Sequence, residues 1–140
     1  MMTSDFHWKI RVYYEDTDAG GVVFYANYLK FFERARTEWL RASDISQQLL
    51  AVSHHVMFVV KSTAVDYHAP AKLDDELKLS VVVERLGRAS VQFNQEAWCV
   101  EGENLRLLAS GRIKVGCVDT TTFRPCPIPD VVLGRIKRAG

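Results

Sequence analysis

The sequence predicts an α+β domain in which a curved antiparallel sheet of five strands wraps one long helix. Three observations lead to this fold class: an alternating segment near the N-terminus, a long helical segment after it, and four extended segments in the remainder of the chain. The helical segment is apolar over much of its circumference, so other elements must cover it, and a curved sheet can do so.

The N-terminal segment is predicted to form a strand with one buried face. Apolar or aromatic side chains occupy every second position from residue 6 to residue 14, and the positions between them are mostly polar. This period of two is typical of a half-buried strand. A polar turn with two adjacent glycines follows at residues 16–21.

The central helix is predicted over residues 26–42, which contain neither glycine nor proline. Charged side chains, Arg36 among them, lie between the apolar ones and are expected to form an outer face. On that face Glu38 can pair with Arg34 or with Arg41. The apolar positions are Tyr28, Leu29, Phe31, Phe32, Ala35, Trp39 and Leu40.

Four further strands complete the predicted sheet, the last three of them as a meander with short turns. The tail from residue 119 contains three of the four prolines, and a short helix is predicted near its end, at residues 131–138. The outermost strand leaves an edge that a second copy of the chain could cover. The predicted strands cover residues 56–67, 77–85, 91–99 and 105–117.

Composition narrows the class of protein. A chain of 140 residues predicts a single domain over residues 1–140, including the tail at 119–140. The formal net charge of +1 gives no overall attraction to nucleic acid, and no apolar run is long enough to span a membrane. Three widely spaced cysteines match neither a zinc site nor a disulfide framework, which indicates a cytoplasmic protein.

The junction between the first strand and the helix is where chemistry is expected. It contains the carboxylates Glu15, Asp16 and Asp18 and leads directly into the helix N-terminus. Backbone N–H groups at a helix start can stabilise an oxyanion, and a carboxylate beside them can attack an acyl carbon or deprotonate water. The residues leave a second possibility open, in which Asp16 or Asp18 only caps the turn or the helix.

The same junction resembles a family signature. YEDTDAGGVVFYANY at residues 14–28 resembles the 4-hydroxybenzoyl-CoA thioesterase-like hotdog family. FFERARTEWLR at 31–41 and DYHAPAKLDD at 66–75 resemble more specifically the acyl-CoA thioesterases of the Tol–Pal gene cluster, the YbgC group. The resemblance extends from about residue 8 to residue 129.

The resemblance implies roles for individual residues. The family's catalytic aspartate falls on Asp18, and the residue whose backbone N–H polarises the thioester carbonyl falls on Tyr25, where relatives often have histidine. The basic turn that meets CoA phosphates in the hydroxybenzoyl branch falls near Arg88. The predicted substrate-binding residues are Gly21, Val22, Phe24, Tyr28, Phe58 and Arg88.

The function implied by the resemblance is hydrolysis of acyl-CoA thioesters to a carboxylic acid and CoA. It implies no metal and no redox cofactor, a homodimer or homotetramer, and sites at subunit interfaces. Two alternatives stay open: a hydratase acting on acyl thioesters, and a module that binds thioesters of acyl carrier protein or serves as an assembly partner with little catalysis. The acyl preference and the carrier are not determined by the sequence.

Overall fold

In the computed structural model, which describes residues 6–139, one antiparallel sheet wraps a long helix. The predicted α+β class is therefore confirmed. The strands are β1 (His7–Arg11), β2 (Val56–Tyr67), β3 (Glu76–Ser80), β4 (Val82–Leu86), β5 (Ser90–Glu101) and β6 (Asn104–Asp119). The helices are α1 (Asn27–Ala42), α2 (Gln47–Ser53) and α3 (Asp130–Ala139), and a short 3₁₀ helix covers Tyr14–Asp16.

The sheet has the order β1-β3-β5-β6-β2. Strand β4 lies on the same side of β5 as β3: β3 pairs with residues 97–99 of β5, and β4 pairs with residues 91–94. The described residues thus form six strands where five were predicted, because the predicted strand at 77–85 is interrupted at Val81. The buried Gln95 amide donates to the Ser80 carbonyl at 3.4 Å, and the Ser80 hydroxyl accepts from the Glu96 N–H at 3.0 Å. These bonds hold the chain on β5 across the interruption, and the pairing register along β5 is the same on both sides of it.

Helix α1 was predicted to within one residue, and its apolar stripe forms the centre of the core. Arg41 and Glu38 form the predicted outer ion pair, at 2.5 Å. Two side chains were misplaced: Leu29 is 37% exposed, whereas Arg36, expected on the outer face, is only 8% exposed. The apolar α1 residues in the core are Tyr28, Phe31, Phe32, Ala35, Trp39 and Leu40.

The first strand is shorter than the alternation predicted. Ile10 and Val12 are buried as expected, but Tyr14 is 83% exposed because it lies in the 3₁₀ helix. The Asp16 carboxylate accepts from the Tyr13 N–H at 2.9 Å and turns the chain away from the sheet. The pattern of apolar residues therefore outlasts the strand by several positions.

Helix α2 was not predicted, whereas α3 was. The Ser46 side chain caps α2 by accepting from the Leu49 N–H, and Leu50 anchors the helix in the core. Helix α3 buries Val132 and Ile136 against the same core. No helix in the described part of the chain is long and apolar enough to cross a membrane.

Candidate active site

Asp18 begins a tight turn that connects two short bridged segments. Thr17 pairs with Val23 across the turn, the Asp18 N–H donates to the Val22 carbonyl at 2.9 Å, and the Gly21 N–H donates to the Asp18 carbonyl at 3.0 Å. Gly21 has φ of +81°, a left-handed conformation that glycine adopts without strain. The glycine is therefore what allows the turn to close.

One oxygen of the Asp18 carboxylate is fixed, and the other is open. Oδ1 accepts from the Gly20 N–H at 2.8 Å, an arrangement that favours aspartate at the first position of a turn. Among the described residues, no hydrogen bond to Oδ2 is present, and the side chain is exposed. Asp18 thus caps the turn, as the simpler interpretation held, yet it keeps an unpaired oxygen for chemistry.

Asp16, the neighbouring carboxylate, is a structural residue. It is 8% exposed, and its side chain is occupied by the Tyr13 N–H. Its carbonyl accepts from the Asn27 side-chain amide at 2.8 Å and from the Phe24 N–H at 3.2 Å. These contacts tie the start of α1 to the strand end, so of the two aspartates it is Asp18 that is exposed.

The start of α1 has two unused backbone donors. The N–H groups of Asn27 and Tyr28 donate to the Phe24 and Tyr25 carbonyls within the first turn. In the described part of the chain, the N–H groups of Tyr25 and Ala26 donate to no acceptor. A helix start without a side-chain cap leaves donors available to a ligand.

Aromatic residues surround this helix start. The Tyr67 hydroxyl donates to the Tyr25 carbonyl at 3.0 Å, and the Tyr28 hydroxyl accepts from the Ala71 N–H at 3.2 Å. Burial raises the pKa of Tyr28 and the pKa of Tyr67, so both phenols stay protonated. Phe24 is 44% exposed beside the Tyr25 ring, which leaves an apolar surface next to the free donors.

An open cleft of about 440 Å³ lies over the Asp18 turn. Of the predicted substrate-binding residues, Gly21 lines it, while Val22 forms a bridge with Lys72 beside it. Its lining residues are Tyr14, Thr17, Asp18, Ala19, Gly21 and Leu73.

Phe58 and Arg88, also predicted to bind substrate, lie at the opposite end of the sheet. Tyr67, which contacts the helix start, pairs with Ala109, whereas Phe58 pairs with Cys117 on the same strand β6. Eight residues of extended chain separate those positions, about 27 Å. Arg88 is exposed in the turn before β5. The carbonyl of the next residue, Ala89, accepts from the Cys117 N–H, so Arg88 lies at the same end of the sheet as Phe58. One chain alone does not bring these two residues to Asp18.

Phe58 instead lines a second cavity, of about 410 Å³, between α1 and the sheet. We call it the Arg36 cavity after the buried residue in its wall. The sequence does not reveal this cavity, because its lining residues come from distant segments, each of which has an ordinary core or surface pattern. Its lining residues are Glu33, Arg36, Thr37, Leu40, Gln47, Phe58, Val60, Val91, Phe93, Val115 and Ile136.

Side chains suited to metal binding do not cluster in the described residues: no group of three or more His, Cys, Asp or Glu could hold an ion. Cys99 and Cys117 are buried free thiols, and Cys126 is half-buried. Burial, together with a contact to Cys126, raises the pKa of the Cys117 thiol to about 12, so its nucleophilic thiolate form is scarce at neutral pH.

Comparison with known proteins places the chain in a family. Residues 12–136 match the model of the thioesterase-like superfamily. The acyl-CoA thioester hydrolase YbgC of Escherichia coli O6:H1 is 44% identical over 138 residues, which cover 99% of this chain and 100% of that protein. The acyl-CoA thioesterase YbgC of Haemophilus influenzae is also 44% identical, over 94% of both chains.

The fold agrees with solved structures of thioesterases. A crystal structure of 4-hydroxybenzoyl-CoA thioesterase superposes with a TM-score of 0.88 over 94% of this chain and 97% of that one. Its sequence identity of 15% means that this likeness concerns the fold alone. The sequence matches show that the chain belongs to the thioesterase-like superfamily and groups there with the YbgC proteins.

Proposed function

We propose that this protein hydrolyses acyl-CoA thioesters to a free carboxylic acid and CoA. The observation that carries the proposal is the Asp18 carboxylate, which has one oxygen anchored by the Gly20 N–H and the other open to the cleft. The YbgC relatives, an acyl-CoA thioester hydrolase and an acyl-CoA thioesterase, support the choice of an acyl-CoA thioester as substrate.

In this mechanism Asp18 acts as a general base toward water or as the nucleophile. Either path makes the acyl carbon tetrahedral and places negative charge on the former carbonyl oxygen. The unused N–H groups at Tyr25 and Ala26 are suited to stabilise that charge, helped by the positive end of the α1 dipole. Collapse of the intermediate breaks the C–S bond and releases the CoA thiolate. On the general-base path, the proton that Asp18 took from water passes to the thiolate and the acid is free. On the nucleophilic path, water then cleaves the acyl–Asp18 anhydride, which releases the acid, regenerates the carboxylate and supplies the proton that the thiolate takes up.

The test is the release of free thiol from a panel of acyl-CoAs, aliphatic and aromatic, by wild type and Asp18→Asn. Because asparagine cannot act as a base but can still accept from the Gly20 N–H, we expect turnover to fall by about 10²–10⁴-fold with an unchanged melting temperature. If Asp18→Asn keeps more than about a third of wild-type turnover, Asp18 is not the catalytic carboxylate. If wild type releases no thiol from any acyl-CoA, thioesters of acyl carrier protein are the next substrates to examine.

We propose further that two chains pair along the exposed edge of β2, beyond which the described residues form no further strand. Antiparallel pairing of two β2 strands would bring the Phe58 end of one chain to the Tyr67 end of its partner. Phe58 and Arg88 would then approach the partner's Asp18 turn, which accounts for their distance from Asp18 within one chain. Sedimentation equilibrium should give the mass of two or four chains, and a monomer mass at the concentrations of the activity assay argues against this pairing.

A further inference from the structure

The Arg36 guanidinium is a buried cation that forms no ion pair with any described residue. Its residue is 8% exposed, and its Nη1 donates to the side-chain oxygen of Gln95 at 3.0 Å. Within the described part of the chain, no carboxylate oxygen lies within 4.0 Å of it. Burial lowers the pKa of Arg36 to about 10, while the nearby Glu33 charge acts in the opposite direction, so the group is still protonated at neutral pH.

The remaining N–H groups of Arg36 point toward accessible space. A guanidinium has five N–H donors, and the described residues supply a partner for Nη1 alone. No side-chain nitrogen or oxygen among the described residues is both fully buried and without a hydrogen-bond partner. The other two nitrogens are therefore not sealed in the core, and the cavity that Arg36 lines is the space available to them.

The other walls of the Arg36 cavity are largely apolar. Side chains from β2, β5, β6 and α3 supply them, including Phe58, Phe93 and Ile136. One acidic residue, Glu33, also lines the cavity, but it is exposed and its carboxylate accepts from the Thr37 hydroxyl at 2.7 Å. The volume of about 410 Å³ lies in the range of small-molecule sites.

We propose that this cavity binds an aliphatic carboxylic acid, with its carboxylate on the Arg36 guanidinium and its chain against the apolar walls. A carboxylate matches the planar guanidinium through two parallel hydrogen bonds and supplies the charge that the buried cation lacks. An inorganic anion such as phosphate would meet the same cation but leave the apolar walls uncovered. Within one chain the Arg36 cavity and the Asp18 cleft share no lining residue, and the proposed acid is held by Arg36 and not by Asp18.

The first experiment measures binding of octanoate, 1-octanol and inorganic phosphate to the wild-type protein by calorimetry. We expect octanoate to bind at least about tenfold more tightly than octanol, because only the acid provides charged hydrogen bonds, and phosphate not to displace it. Equal affinity of acid and alcohol, displacement by equimolar phosphate, or no octanoate binding at millimolar concentration each overturns the proposal.

Variants then locate the bound acid. Arg36→Met should weaken octanoate binding at least about tenfold and leave octanol binding in place, whereas Arg34→Gln, a matched loss of charge on the same helix outside the cavity, should change neither. Glu33→Gln removes a negative charge that would repel the octanoate carboxylate, so it should tighten octanoate binding. An Arg36→Met protein that binds octanoate as wild type does, or a Glu33→Gln protein that binds it more weakly, contradicts the site.

Two controls separate loss of octanoate binding from loss of folding and from loss of hydrolysis. Arg36→Met also loses the bond to Gln95, so its folding is checked by circular dichroism, and if it is unfolded the ligand comparison and Glu33→Gln decide the question. Asp18→Asn should bind octanoate like wild type, because the acid does not use the Asp18 turn. Binding can therefore succeed when hydrolysis fails, and the two proposals are tested separately.

Discussion

The Asp18 turn and the Arg36 cavity each present a charged group to open space, but the two charges are held in different ways. Asp18 is exposed, and its only side-chain hydrogen bond among the described residues is to Gly20, two positions away. Arg36 is buried, and its bond is to Gln95, 59 positions away. The carboxylate can be changed with little effect on the fold, whereas the guanidinium is part of a network that joins α1 to β5.

That difference predicts that Gln95→Leu has a large effect on stability. The leucine removes the acceptor for the Arg36 Nη1 and the donors to the Phe32 and Ser80 carbonyls, which leaves a buried cation poorly satisfied. We expect a loss of about 3 kcal/mol in the free energy of unfolding, measured by urea denaturation.

The matched control for this network is Gln92→Leu, on the same strand. Gln92 donates to the exposed Glu84 carboxylate near the surface, so the same substitution there should change the free energy of unfolding by no more than about 0.5 kcal/mol. If the two variants prove equally stable, the Arg36–Gln95 contact does not hold helix and sheet together.

A smaller effect is expected from Gly21→Ala in the Asp18 turn. Apart from Gly21 itself and its two chain neighbours, no described residue has an atom within 4 Å of the position of a Cβ at Gly21. The cost therefore comes from the φ of +81° and should be about 1 kcal/mol. Thermal unfolding measures it. At Gly20, which lacks a positive φ, an added Cβ would lie 3.2 Å from Asp18 Oδ1.

The paired variant Gly20→Ala sharpens that test. It should lower turnover more than Gly21→Ala at a smaller loss of stability, because it displaces the carboxylate without straining the backbone. The opposite ranking in both measurements would mean that turn closure, and not the position of the carboxylate, limits activity.

Much of the Asp18 region could be predicted from the sequence because its contacts are local. The run from Asp16 to Gly21 contains both the turn residues and the carboxylates, and helix periodicity places the start of α1 just after them. Only the structure distinguishes the two aspartates: Asp16 is buried as a structural residue, and Asp18 faces the cleft.

The Arg36 region could not be predicted in this way. A pattern along one helix counts arginine as polar and assigns it to the outer face, although a long side chain can extend under a neighbouring element. Its partner Gln95 occupies a buried position in the alternating pattern of β5, but its polar side chain does not predict burial. Neither residue identifies the other, because nothing in the chain between them fixes how α1 crosses the sheet.

By itself, the sequence determined the α+β class, the central helix and the turn that presents Asp18, because each depends on periodicity or on residues a few positions apart. Tertiary structure alone decided the break between β3 and β4, the burial of Arg36 and the cavity beside it. Those features arise where segments far apart in the chain meet, and the free energy of burying a polar group depends on the partners found there.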